Sequence, residues 1–175
     1  MKSPALFFGF LLLAGSAHAQ ANTANPAVNT SRQLWEQLTG YITTAAQDLP
    51  ESLYAYRPTP QVRSFSQLIG HLAGSQYMFC ALALGEPTRE EDAIEKTVTN
   101  KAELVAALKA STEYCARAYA QTDQAALQPI KLFGQDRTRL YALMQNATHN
   151  GEHYGNIVTY LRLNSIVPPS SRPRP

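Results

Sequence analysis

The chain has 175 residues, of which 45% are hydrophobic, and its formal net charge is only +2. This length suits one domain with a single core rather than several domains. Because the charge is nearly balanced and no basic cluster is interleaved with aromatic residues, the composition predicts no nucleic-acid partner. The side chains with the most specific chemistry are four histidines and two cysteines.

Residues 1–19 have the pattern of a secretory signal peptide. Lys2 supplies the positive start, residues 5–14 are apolar, and residues 17–19 read Ala-His-Ala, which is an A-x-A cleavage site. The mature chain would begin at Gln20. The alternative, a retained membrane anchor, is disfavoured because the apolar run is too short to span a bilayer. We therefore expect a periplasmic or secreted protein with no stable membrane anchor after cleavage.

Four amphipathic helices are predicted from apolar residues that recur at three- and four-residue steps. Each predicted helix follows a residue that commonly caps a helix N-terminus, namely Thr30, Ser64, Asn100 and Asp136. The predicted helices cover approximately residues 31–48, 65–84, 101–121 and 137–164. Four such helices without a convincing strand pattern predict an all-α fold, a four-helix bundle over residues 30–167.

The segments outside these helices are rich in small, charged or proline residues. Residues 20–29 read as a flexible leader and residues 168–175 as a flexible tail. Residues 86–99 form a charged loop that is long enough to cross the bundle. Residues 123–136 read as another loop, in which a short extended piece is an open alternative.

The two cysteines bear on the topology of the bundle. In an oxidising compartment Cys80 and Cys115 would either form a disulfide or remain two buried thiols, and the sequence leaves both open. Each lies 14 or so residues into its predicted helix. The two would stand at equal height only if the second and third helices run parallel. A disulfide would therefore favour an up-down-down-up bundle with a long crossover between helices two and three.

Three histidines outside the signal peptide can belong to one site. His149 and His153 are four residues apart, so their imidazoles project from the same face of the last helix about 6 Å apart along its axis. Two such nitrogens can reach one metal ion at about 2.0–2.1 Å. His71 lies in the second predicted helix. Polar residues that could orient the imidazoles follow the same faces: Gln67, Asn146, Asn150, Glu152 and Asn156.

Three neutral imidazoles without a carboxylate would leave a divalent metal with open positions for water or substrate. The ligand set suits zinc, nickel, iron or copper and does not choose among them. The alternative is that the histidines are structural and only hydrogen-bonded in the core. Glu152 is a candidate general base, or else a solvated surface acid. His149 to His153 also match H-x-x-E-H, but no acidic residue follows Glu152 as the downstream ligand of that motif.

With these residues in view, the chain resembles the DinB-like family of four-helix bundles. The likeness covers about residues 30–167. It rests on 56–58 (Tyr-Arg-Pro), on 67–72 (Gln-Leu-Ile-Gly-His-Leu) and above all on 149–162, which contains H-x-x-x-H-Y-G-N and Tyr-Leu-Arg.

The resemblance implies an up-down-down-up bundle and a divalent metal, zinc or nickel, held by His71, His149 and His153. Some members of this family are S-transferases or isomerases that depend on low-molecular-weight thiols. Those thiols are cytoplasmic, so a protein that is exported by a signal peptide would not meet them. The implied function is a metal-dependent hydrolase or transferase acting on a small molecule; the alternative is a non-catalytic bundle that binds metal or a small ligand. Family bundles often form homodimers, which leaves a homodimer open here.

Overall fold

The computed structural model describes residues 24–173, which are mostly helical. The predicted signal peptide, residues 1–19, lies outside the described residues. The elements in chain order are α1 (Pro26–Asp48), α2 (Phe65–Leu84), α3 (Ala93–Thr97), α4 (Lys101–Ala118), α5 (Asp123–Ala126), β1 (Pro129–Leu132), β2 (Gln135–Thr138) and α6 (Arg139–Leu163). Single 3-10 turns occupy Glu51–Leu53 and Pro169–Ser171. Among the described residues, no helix is both long and apolar enough to cross a membrane.

The four long helices α1, α2, α4 and α6 form the predicted bundle. Helices α2 and α4 run parallel: Cys80 is bonded to Cys115, and one turn earlier Gln76 donates to the Ser111 hydroxyl at 3.0 Å. The disulfide, one of the two states that the sequence left open, is therefore present. The crossover between these parallel helices is the segment that contains α3.

Contacts of α6 show in which direction it runs relative to α2 and α1. The start of α2 meets the end of α6, since the Tyr160 hydroxyl donates to the carbonyl of Arg63 at 2.5 Å. Helix α6 is therefore antiparallel to α2. It runs parallel to α1, where Tyr41 stacks on Tyr154 with ring centroids 5.2 Å apart. The up-down-down-up order is confirmed.

The core has two parts along the bundle axis. One cluster packs aromatic and aliphatic residues of α1, α2, α4 and α6 together with the 3-10 turn after α1. The other surrounds the disulfide, where Trp35 stacks on Tyr119 with centroids 4.4 Å apart. The histidines of α2 and α6 lie on the helix faces that connect these two clusters.

The boundaries of α2 follow from local sequence. The Ser64 side chain accepts from the backbone of Gln67, whose own side chain accepts from the backbone of Ser64, so both bonds of the predicted capping box are present. At the other end Gly85 adopts the left-handed conformation, with φ 73°, which ends the helix. The predicted range 65–84 is confirmed.

The start of α1 differs from the prediction. The helix begins at Pro26, a favoured first-turn position for proline, rather than after Thr30. Its first free N–H groups, those of Ala27 and Val28, donate to the Asp123 carboxylate at 3.0 and 2.9 Å. A side chain almost a hundred residues away thus replaces the local cap, and residues 26–29 of the predicted leader are helical.

The predicted loop over 123–136 contains helix α5 and a β-hairpin. Phe133 and Gly134 both have positive φ, 50° and 75°, as a two-residue turn of the I′ type requires. The hairpin extends to Thr138, so α6 begins at Arg139 with Thr138 as its cap, and the predicted cap Asp136 is wrong. Helix α4 is also shorter than predicted and ends at Ala118.

The C-terminal segment is packed, not loose, as far as residue 173. The backbone N–H of Ser170 donates to the Tyr154 hydroxyl at 2.9 Å. Arg172 donates to the carboxylate of Asp48 at 2.6 Å. These contacts tie the segment to α1 and α6, which corrects the prediction of a flexible tail for this part of it.

The Thr138 cap supplies a first prediction. Its hydroxyl accepts from the N–H of Tyr141 at 3.2 Å. We expect Thr138→Ala to lower the free energy of unfolding by about 1 kcal/mol, because that N–H loses its partner. For a domain of this size the midpoint of thermal unfolding should fall by about 2–4 °C. Thr148→Ala, within the same helix and away from its end, is the control; an equal loss in both variants would contradict the capping role.

Candidate metal centre

The three predicted histidines meet at one point between α2 and α6. The Nε2 atom of His149 lies 3.2 Å from Nε2 of His71 and 3.1 Å from Nε2 of His153. The three residues form a group whose ligand atoms all lie within 4.8 Å of one another. The antiparallel packing of α2 on α6 produces this convergence, because His71 faces the turn of α6 that carries the other two.

The imidazoles of His149 and His153 are held in their neutral form. His71 is 6% exposed and His153 is 8% exposed. Burial, followed by the neighbouring His153 and His71, lowers the pKa of His149 to about 3. Burial and then His71 lower the pKa of His153 to about 4. Neutral imidazole is the form that binds metal, so neither residue would have to lose a proton at neutral pH.

The donor set fits a divalent metal. Bonds of about 2.0–2.1 Å at tetrahedral angles would place neighbouring ligand nitrogens about 3.3–3.4 Å apart. The Nε2 separations of 3.2 and 3.1 Å are close to that value. His149 Nε2 faces two other ring nitrogens, and a neutral imidazole nitrogen cannot donate to both. A shared cation satisfies all three lone pairs at once.

The other ring nitrogen of His71 is oriented by acidic groups. Its Nδ1 lies 3.3 Å from Oδ1 of Asp92 and 3.5 Å from Oε2 of Glu95. Two nearby acceptors favour a proton on Nδ1, which leaves the lone pair on Nε2. Arg63, whose Nη2 is 3.4 Å from the same Nδ1, is bound to both Glu95 oxygens at 3.1 Å.

Most of the predicted orienting amides make no hydrogen bond to an imidazole, and the buried side chain of Asn150 has no hydrogen-bond partner among the described residues. Asn156 alone of them lies against an imidazole, with its side-chain nitrogen 3.4 Å from Nδ1 of His153. Asn146 instead donates to the Tyr119 hydroxyl at 3.3 Å. The Nδ1 atom of His149 has no hydrogen-bond partner among the described residues. Its ring is held by packing, edge to face with His153 and with Phe79.

Glu152, the candidate general base, does not join this cluster. It is exposed on the surface of α6, and the grouping of metal-ligating side chains contains the three histidines without it. The catalytic role of Glu152 stays a prediction that these contacts do not support.

The acidic side chains at the site come from the crossover, whose role the sequence reading missed. We call residues 90–95 the acidic segment; they read Glu-Glu-Asp-Ala-Ile-Glu. Within it, the side chains of Glu91, Asp92 and Glu95 lie within 3.9 Å of His71 ring nitrogens. Two glycines spaced four apart on α2, on either side of His71, are the signal that could have revealed a segment packed there.

An open cavity of about 630 Å³ adjoins the cluster. Its walls include His153, Asn156 and Tyr160 from α6, together with Arg63 and Glu95. Burial raises the pKa of Tyr160, so its hydroxyl keeps its proton at neutral pH. The cavity is large enough for a small organic molecule and reaches the imidazoles on the His153 side.

Known proteins share this fold. The sequence profile of the DinB superfamily matches residues 34–157. A DinB-like protein from Bacillus cereus ATCC 10987 superposes with a TM-score of 0.69 at 15% identity, covering 79% of this chain and 93% of its own. A DinB-like protein from Bacillus subtilis gives a TM-score of 0.62 at 20% identity, with 81% and 92% covered.

A mycothiol-dependent maleylpyruvate isomerase is also similar, with a TM-score of 0.62 at 18% identity. The similarity covers 75% of this chain and 59% of the isomerase, which is therefore a longer protein. At these identities the likeness extends to the fold alone. No curated protein matches the chain.

Proposed function

This chain belongs to the DinB superfamily, and we propose that it holds one divalent metal ion, zinc or nickel, on His71, His149 and His153 and acts on a small molecule. The observation that carries the proposal is the convergence of three imidazole Nε2 atoms, two pairs of which are 3.1–3.2 Å apart. Imidazole nitrogen is a ligand that suits both metals.

The metal and the side chains around it would have different roles at this site. A bound metal would supply Lewis-acid chemistry, which polarises a carbonyl or lowers the pKa of a water molecule. His71 and His153 present their Nε2 lone pairs from opposite helices, so the bundle fixes their separation. Asp92 holds the His71 ring through Nδ1 and makes it a better electron donor.

The cavity beside His153 supplies the substrate position. Arg63 and the Tyr160 hydroxyl give its wall polar groups, while Leu68 and Val62 add apolar surface. Arg63 is largely neutralised by Glu95, with which it forms a two-bond ion pair. We therefore propose a substrate that is small and not strongly anionic.

We propose hydrolysis rather than thiol transfer, in a periplasmic or secreted location. The Cys80–Cys115 disulfide supports both points, because structural disulfides persist mainly in oxidising compartments. Low-molecular-weight thiols of the cytoplasm would not be supplied there in reduced form. The predicted signal peptide agrees with this location.

A second candidate is a non-catalytic protein that binds metal. The acidic segment favours it, because Glu91 and Asp92 lie 3.9 and 3.3 Å from ring nitrogens of His71 and would restrict access from that side. A metal that is fully surrounded by protein ligands would be stored or structural rather than catalytic.

Elemental analysis of the purified mature protein, beside His149→Ala, tests the proposal. We expect near-stoichiometric zinc or nickel in the wild type and loss of at least nine-tenths of it in the variant, because His149 lies between the other two ligands. Thr148→Ala, one residue away and exposed, should keep its metal. No metal in the wild type after reloading with each ion would refute the site.

Ester and amide substrates separate the two candidates. Turnover by the metal-loaded wild type that is lost in His149→Ala would support a hydrolase. Stoichiometric metal without turnover on any of a broad set of small esters and amides would favour the metal-binding protein.

A further inference from the structure

We propose that Glu91 is a fourth protein ligand of this metal site, carried to the three histidines by the acidic segment. The inference rests on the proposed metal site and adds a carboxylate from the crossover that no sequence motif indicates. It would give a His₃Glu site at rest, in which water or a substrate could bind the metal only after the Glu91 carboxylate has left it.

The position of the Glu91 carboxylate carries this inference. Its Oε1 atom lies 3.9 Å from Nε2 of His71, the same nitrogen that faces His149 at 3.2 Å. Asp92 and Glu95 approach His71 from its other side, at Nδ1. Among these three acids, Glu91 is thus the one nearest to Nε2, at a separation about half an ångström longer than that between tetrahedral ligands. Its carboxylate lies outside the group of ligand atoms that are within 4.8 Å of one another, so it would have to move closer to bind the same ion as the three histidines.

The backbone holds Glu91 in this place. A Cβ atom on Gly74 would lie 1.7 Å from the carbonyl oxygen of Glu91, and one on Gly70 would lie 2.8 Å from Cα of Glu95. Only glycine permits so close an approach between a helix and a crossing segment. The two glycines flank His71 in sequence, so the same face of α2 that presents the imidazole also receives the acidic segment.

The charges near the site agree with a cation bound by a carboxylate. Arg63 neutralises Glu95 through two hydrogen bonds. The ion contacts of Glu91 and Asp92 within the described residues are with His71. A divalent metal beside Glu91 would balance this excess of negative charge in a half-buried place, where an unbalanced charge is costly.

Cobalt(II) binding by Glu91→Gln, with Glu90→Gln as the matched control, tests the inference. Both variants remove one charge from the acidic segment. The Glu90 carboxylate, however, is 67% exposed and binds Lys96 at 2.6 Å. We expect Glu91→Gln to weaken cobalt binding by about tenfold to a hundredfold in a chelator competition, at least the loss seen when a residue supporting a ligand is removed. Glu90→Gln should bind as the wild type does.

The absorption spectrum of bound cobalt provides a second readout that a purely structural role would not change. Azide should alter the spectrum of Glu91→Gln at concentrations that leave the wild type unchanged, because a coordination position has been opened. Equal affinity and equal azide response in the two variants would overturn the role of Glu91 and leave the three-histidine site standing. A wild type that binds no cobalt would instead refute the metal site itself, and the inference with it.

Discussion

We expect the double variant Cys80→Ala/Cys115→Ala to lose about 4 kcal/mol of unfolding free energy. The disulfide closes a loop of 35 residues between α2 and α4, and the chain entropy that such a loop removes from the unfolded state corresponds to about this amount. The two helices are parallel, so their connection crosses the bundle and the bond restrains distant parts of the chain. Urea denaturation followed by circular dichroism would measure the loss.

The two single variants provide the control for this prediction. Either one breaks the same bond, so we expect each to lose about as much as the double variant. Both sulfur atoms also lie against the amide of Asn146, at 3.5 and 3.8 Å, in a fully buried place. A double variant that loses under 1 kcal/mol, or as much as the sum of the two single variants, would contradict this explanation.

Gly74→Ala should be the most damaging single glycine substitution in the helices. The new Cβ would lie 1.7 Å from the carbonyl oxygen of Glu91, a backbone atom that can move only with the acidic segment. We expect a loss of about 2 kcal/mol or more in unfolding free energy, at the upper part of the range for overpacking. Because the segment carries Glu91 and Asp92, metal affinity should fall as well.

Gly40→Ala and Gly155→Ala are the matched controls for that substitution. Both glycines lie inside long helices, and a Cβ at either position would meet nothing within 4 Å. Alanine should therefore stabilise the protein by about 0.5–1 kcal/mol at each. Thermal unfolding would show whether each substitution raises or lowers the unfolding midpoint. A Gly74→Ala protein as stable as these two variants would show that the acidic segment does not pack where the structure has it.

The long helices and the three histidines could be predicted because their signals are local. Apolar residues at helical steps marked α1, α2, α4 and α6, and the Ser64 capping box gave the exact start of α2. The spacing of His149 and His153 required only the geometry of one helix. Joining them to His71 required the bundle, which the helix count itself indicated.

The errors arose where distant parts of the chain meet. Helix α1 begins at Pro26 because the Asp123 carboxylate caps it. Asp123 is almost a hundred residues away in sequence, so the residues near position 26 give no sign of this contact. The hairpin after α5 was predicted only as a loop, with a short extended piece as an open alternative. Its strands are four residues each and mostly polar, which hides the usual alternation.

The acidic groups of the site show the same limit. Glu152 was considered because it lies beside His153 in sequence, yet neighbours in a helix point in different directions. Glu91 lies twenty residues from His71 along the chain, and the crossover brings its carboxylate to the ring. The glycines that make this approach possible, Gly70 and Gly74, indicate that some segment packs closely on α2 but do not say which one.

The most direct test of the metal centre is a crystal of the zinc-loaded protein, measured at the zinc absorption edge. We expect one anomalous difference peak between α2 and α6, within about 2.0–2.1 Å of Nε2 in His71, His149 and His153. A peak at the surface, or none between these imidazoles at full zinc loading, would contradict the three-histidine site.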